Sequence, residues 1–268
     1  VAFLGGSTTE CMFVDERMRF PARASFLLET RGIRINALNA GVSGNDAHDA
    51  VNNLLNYVVQ DEPHVAVLME ASNDIGNLRV VGGYQFSMGR APSLAMLGRL
   101  VFTKLSAYSS IAALMRHTMY LRRNKQDVER HARRTERQAA QLPAQPGGPL
   151  PVEKFRQRLR TFVAVSRAFG ITPVLMTQPS HPTRNELTPS WYDPAAQALF
   201  NQAIREVAAE QKAELIDLVA FVNARPRSPQ PLFYDGIHVT DYGADVYAQH
   251  IADRLQEIVA TRRQTAAQ

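Results

Sequence analysis

Apolar residues fall into two kinds of run along this chain. Short, strand-like apolar runs stand at residues 1–4, 33–38, 65–69, 172–176 and 213–218. Runs of that length suit strands buried on both faces, the pattern of a parallel sheet. Between them apolar positions recur at helical spacing, over residues 19–31, 47–60, 152–169, 194–211 and 241–262. In the last of these Tyr247, Ile251, Leu255 and Ile258 share one face. Asp193 followed by Pro194 supplies an N-cap and a proline at the first helical position. Strands alternating with helices predict an α/β protein, a five-stranded parallel sheet covered on both faces in a three-layer α/β/α sandwich. In such sheets ligands bind beyond the C-terminal ends of the strands.

The alternation is interrupted at about residues 76–150, too long a stretch for a simple loop. Residues 94–137 read as mostly helical, apolar early and basic late. They are followed by the breaker-rich 142–149, Leu-Pro-Ala-Gln-Pro-Gly-Gly-Pro. The expectation is one domain over residues 1–268 carrying a helical insertion. That insertion is a lid, a docking arm or a structural excursion.

Composition fits this picture. The chain has 268 residues, 45% hydrophobic and 21% charged, enough for one domain with a sizeable core. It contains no apolar run long enough to span a membrane. No signal peptide is visible; the chain opens inside its first strand, so upstream sequence is expected. A single cysteine, Cys11, rules out an internal disulfide. The net charge of +5 is local: residues 116–137 hold eight Lys/Arg against Asp127, Glu129 and Glu136, which alone gives +5. Such a segment suits a membrane or another anionic surface, a solvated helix face being the plainer reading. With only Tyr120 interleaved, nucleic-acid binding is not expected.

The chemistry lies at strand ends. The first strand runs into Gly5-Gly6-Ser7-Thr8-Thr9-Glu10, placing a serine on a glycine-rich turn into a helix. A serine hydroxyl needs a base to become a nucleophile. The plainer role is a capping box, with Ser7 as N-cap and Glu10 three residues on. Near the other end of the chain comes Asp235-Gly236-Ile237-His238. Of seven histidines only His238 has an aspartate three residues earlier in a glycine-containing loop. That spacing lets Asp235 hold one ring nitrogen while the other faces a serine. Donors for an oxyanion are available in Asn73, through its side-chain amide, in Gly41, through an unobstructed N–H, and in the N–H of Ser7 itself. As local structure alone, Asn73-Asp74 reads as a strand-ending turn and Gly41 as a tight turn at positive φ. Glu70 reads as a satisfied strand-end residue, Asp74 as a partner of loop amides and Cys11 as a small buried residue. No metal motif is present, and no cofactor is expected.

These segments, Gly5-Gly6-Ser7, Asn39-Ala40-Gly41-Val42-Ser43-Gly44, Ala71-Ser72-Asn73-Asp74 and Asp235-Gly236-Ile237-His238, stand in the order of the SGNH (GDSL-like) hydrolases, which the chain resembles from its first residues to its final helix. The family's usual Gly-Asp-Ser reads Gly-Gly-Ser here, and its glycine before x-Asn-Asp reads Ala71. The resemblance implies a flavodoxin-like SGNH fold and a serine esterase. Its catalytic residues would be Ser7, His238 and Asp235, and its oxyanion hole Ser7, Gly41 and Asn73. It further implies a small acyl ester substrate, with short acyl groups such as acetyl favoured, on small molecules, carbohydrates or lipids. Export or membrane anchoring in a bacterium is the corresponding lean on location. An O-acyltransferase on the same machinery is the first alternative. A phosphate-binding or non-catalytic SGNH-like module is the second, and it lacks both glycine-rich phosphate patterns. Nothing in the sequence speaks to oligomeric state.

Overall fold

The computed structural model describes residues 1–84, 109, 111, 114–115, 150–181, 193–226 and 228–266. Most of the expected insertion, including residues 116–137, lies outside the described residues.

Five parallel strands form one sheet: β1 (Ala2–Gly5), β2 (Leu38–Gly41), β3 (Val65–Met69), β4 (Thr172–Met176) and β5 (Glu214–Ile216), in the order β2-β1-β3-β4-β5. The register aligns Gly5 with Gly41 on one side and with Met69 on the other. The C-terminal ends of the three strands that precede the candidate residues therefore lie level. Helices are α1 (Ser7–Glu10), α2 (Phe20–Thr30), α3 (Ala47–Asn56), α4 (Ser72–Val81), α5 (Val152–Ala168), α6 (Pro194–Gln211), α7 (Leu218–Ala224) and α8 (Asp241–Ala266). Alternate strand residues face opposite layers, as the pleat requires. Leu4, Ala66, Leu68 and Leu175 pack with Leu54, Phe155, Phe162 and Phe200 from α3, α5 and α6. Phe3, Val65, Val67, Val174 and Met176 pack with Phe20, Leu28, Tyr247 and Ile251 from α2 and α8. Two dry layers on one sheet make the three-layer sandwich. No helix among the described residues is long and apolar enough to cross a membrane.

Three local expectations are corrected. Residues 33–37 are not strand; the strand occupies Leu38–Gly41. Only those residues ladder with Ala2–Gly5, while Ile33, Ile35 and Ala37 pack onto the α2/α8 core as irregular chain. The run at 213–218 shortens to Glu214–Ile216, because the Asp217 carboxylate accepts from Ala220 N–H and starts α7. The run at 47–60 stops as an α-helix at Asn56 and tightens into a 3₁₀ turn over Val58–Asp61. Asp193 caps α6 as its sequence suggests, accepting from Ala195 and Ala196 N–H.

Candidate active site

Past Gly5 the chain turns at Gly6 directly into α1. The capping box read from Ser7 and Glu10 does not form: Gly6 is the N-cap, without a side-chain bond. The Glu10 carboxylate instead accepts from Ser43 N–H (2.8 Å) and Ser43 Oγ (2.5 Å), tying α1 to the loop after β2. This leaves the Ser7 hydroxyl free to turn toward His238, where Oγ lies 2.7 Å from Nε2.

His238 is held from behind. Its Nδ1 is 2.7 Å from Asp235 Oδ2, and Asp235 Oδ1 accepts the N–H groups of Ile237 (2.8 Å) and His238 (2.7 Å). Burial alone would raise the Asp235 carboxyl; the bonds from the His238 ring and these main-chain N–H groups outweigh it and hold the group below its usual value. An ionised Asp235 on Nδ1 fixes the tautomer in which Nε2 accepts. Tyr234 stacks on the imidazole, centroids 5.5 Å apart and 8° from parallel, and meets Phe13 edge-on. The sequence reading missed this aromatic, for which its place beside Asp235 was the available signal.

Asn73 stands in the first turn of α4 rather than in a strand-ending turn. Its Nδ2 donates to Asn45 O at 2.6 Å, leaving a second amide hydrogen. A Cβ on Gly6 would come within 2.4 Å of that Nδ2 and 2.9 Å of Asn45 O, so the amide sits against the turn that carries Ser7.

Gly41 is placed in the sheet rather than in the loop beyond it. It ends β2, and its N–H donates to Asn39 Oδ1 at 3.1 Å. It is a glycine for close approach, not for positive φ: a Cβ there would meet Glu10 N at 2.5 Å and Thr9 C at 2.8 Å. The next glycine, Gly44, has φ +88° and is exposed in the loop beside Asn45. Among the described residues the N–H groups of Ser7 and Gly44 donate to no protein acceptor.

Two carboxyls lie behind this loop. Asp74 is fully buried and accepts from Ala47 N–H (3.1 Å) and Tyr84 OH (2.6 Å), a partner of loop amides as read. Burial, then Asp46, push it up to about 8. Glu70 is buried, its Oε1 without a partner among the described residues, and burial, then Asp74, raise it well above the usual range. Cys11 is buried, its thiol on Thr8 O, and burial raises it to about 12, which makes it a poor nucleophile. Among the described residues no group of three or more His, Cys, Asp or Glu side chains is placed to hold a metal.

Comparisons with known proteins agree with this fold. The profile of the GDSL-like Lipase/Acylhydrolase family matches residues 3–246. No curated protein matches the sequence. Similar solved structures include a lipase/acylhydrolase from Enterococcus faecalis, 16% identical, covering 96% of this chain and 95% of that one, TM-score 0.58. Another is an acetylxylan esterase from Geobacillus stearothermophilus, 14% identical, covering 94% and 92%, TM-score 0.56. At such identities the likeness is one of fold. The family match extends over nearly the whole chain, so this chain belongs to the GDSL-like lipase/acylhydrolase family and is a carboxylic ester hydrolase.

Proposed function

We propose that Ser7 is the nucleophile, His238 the general base and Asp235 the carboxylate that orients it, in the hydrolysis of short-chain acyl esters. One observation carries the reading: the continuous chain from Ser7 Oγ through both nitrogens of His238 to Asp235, with 2.7 Å at each link. Ser7 Oγ attacks the ester carbonyl while its proton passes to Nε2. Asp235 stabilises the imidazolium that forms. The tetrahedral oxyanion accepts from Ser7 N–H, the second hydrogen of Asn73 Nδ2, and Gly44 N–H in the place first given to Gly41. His238 then protonates the leaving alcohol. Water attacks the acyl-enzyme by the same route in reverse.

The acyl group is short. Beside Ser7 and His238, the space bounded by Cys11, Phe13, Val14, Tyr234 and Val239 has room for little more than one water-sized group, which favours acetyl. The family implies a small ester substrate. Acetyl xylan esterases share the fold, so O-acetylated carbohydrates head the substrates to assay. Ser7→Ala and His238→Ala should each cut acetyl-ester turnover by about 10⁴-fold, because triad members act as a unit. A fluorophosphonate should label Ser7. Near-parental turnover in either folded variant, or a label on another residue, overturns the assignment.

A further inference from the structure

Ser7 and Asn73 stand at the ends of different strands, and the main-chain ladder between those strands stops at Gly5 and Met69. Their relative position is set beyond the ladder, and one side chain spans the gap. Gln178 follows β4 and is 2% exposed. Its Nε2 donates to Thr8 Oγ1 at 2.8 Å, next to Ser7. Its Oε1 accepts the N–H of Ser72 at 2.9 Å, next to Asn73. Gln178 is itself clamped. Its N–H donates to Asn201 Oδ1 (2.8 Å), and its carbonyl accepts from Asn201 Nδ2 (2.9 Å) and Gln197 Nε2 (3.1 Å). Ser72 Oγ closes the network on Gln197 Oε1 at 3.0 Å. Thr8, Ser72, Gln197 and Asn201 are all buried, between 1% and 7% exposed.

A dry amide network costs stability unless every member is satisfied, and a satisfied one holds a single geometry. An apolar side chain at position 178 could pack against the sheet, but it could not hold Thr8 and Ser72 at a fixed separation. We propose that Gln178 is a positioning residue: it sets the distance between the serine nucleophile and the Asn73 amide, fixing the tetrahedral intermediate between them. This rests on the roles proposed above for Ser7 and Asn73.

The test separates positioning from mere stability. Gln178→Met keeps the bulk and removes the links to Thr8 and Ser72; Thr8→Val breaks the first of them from its other end. Each should lower kcat for an acetyl ester by about 10–100-fold with KM within about threefold, the scale of a misplacement near 1 Å. Fluorophosphonate labelling of Ser7 should slow in parallel. The double variant should be no slower than the worse single one, since both remove the link between Gln178 and Thr8. Leu159→Ala, in the α5 core and outside the hydrogen-bond network, supplies a stability control. It should lose Tm without losing kcat. Parental kcat in folded Thr8→Val, or an equal kcat loss in Leu159→Ala at matched Tm loss, overturns the proposal. Should Gln178→Met fail to fold, Thr8→Val decides alone. Failure of the triad reading is distinguishable, because it appears as an unlabelled Ser7 in the parent enzyme.

Discussion

Replacing Asp74 by Asn probes the electrostatics behind the loop that leads into α3. Asp74 is fully buried, and burial, then Asp46, push its carboxyl from 3.8 up to about 8. The groups facing it are Asp46, Glu70 and Tyr84, with the Arg158 guanidinium over the Tyr84 ring as the nearby cation. Asp74 Oδ1 accepts both Tyr84 OH and Ala47 N–H. An Asn presents the same oxygen, with NH₂ where the neutral acid carries its hydroxyl, so Asp74→Asn copies the protonated state. The fold holds this proton more tightly than the unfolded chain does. Its contribution to stability is therefore complete below about pH 4 and is lost as pH rises through about 8. A gap of about four on the pH scale, at ~1.4 kcal/mol each, makes the loss about 6 kcal/mol. Glu70, raised by burial and then by Asp74, adds to it with the same sign. Asn does not titrate. The variant should match the parent near pH 4, gain on it by ~1.4 kcal/mol per pH unit, and hold a constant advantage above about pH 8. Urea unfolding followed by far-UV circular dichroism, in steps from about pH 4 to pH 9, measures the difference. A stability gap that stays constant across that range would refute the reasoning, since Asp74 would then be ionised throughout. A narrowing gap would reverse its sign.

Two further outcomes follow from the site. Asn73→Ala should lower kcat by about 10²–10³-fold with a smaller change in KM, because its second amide hydrogen matters most once charge develops; an effect confined to KM, measured on an acetyl ester, would reassign Asn73 to substrate binding. Phe13→Ala opens the space beside Ser7 and should move the preferred p-nitrophenyl ester from acetyl toward butyryl by about tenfold in relative kcat/KM, the scale of one or two methylenes in an apolar pocket; an unchanged acetyl preference would show that the acyl group lies elsewhere.

Much of the fold was legible because parallel strands buried on both faces leave unbroken apolar runs. β3 and β4 occupy the very residues read as strands, all but Thr172 buried. Helix starts with a chemical cause were legible too, as at Asp193-Pro194. The Asp235 and His238 pairing was legible because a three-residue spacing in a tight loop leaves few other geometries. Gln178, Asn201 and Gln197 were not. A buried amide looks like an exposed one in sequence, and what distinguishes it is burial by elements distant along the chain.

The shift from Gly41 to Gly44 in the proposed oxyanion hole has one physical origin. β2 is an edge strand, so it is only half covered and its four residues, Leu-Asn-Ala-Gly, need not be apolar. The apolar residues just upstream, Ile33, Ile35 and Ala37, serve the core without joining the ladder. Reading apolar character as strand therefore ends the strand at residue 38 and makes Gly41 the first glycine of the loop. Ending it where the hydrogen bonds end makes Gly44 the first. The true end also explains the chemistry of each glycine. A residue still in the ladder, pressed on α1 with its N–H on Asn39, is fixed by packing. Three residues on, past the sheet, Gly44 is exposed beside Asn45, and among the described residues its N–H donates to no protein acceptor. Where the sheet stops, on this edge, decides which backbone donors the site can use.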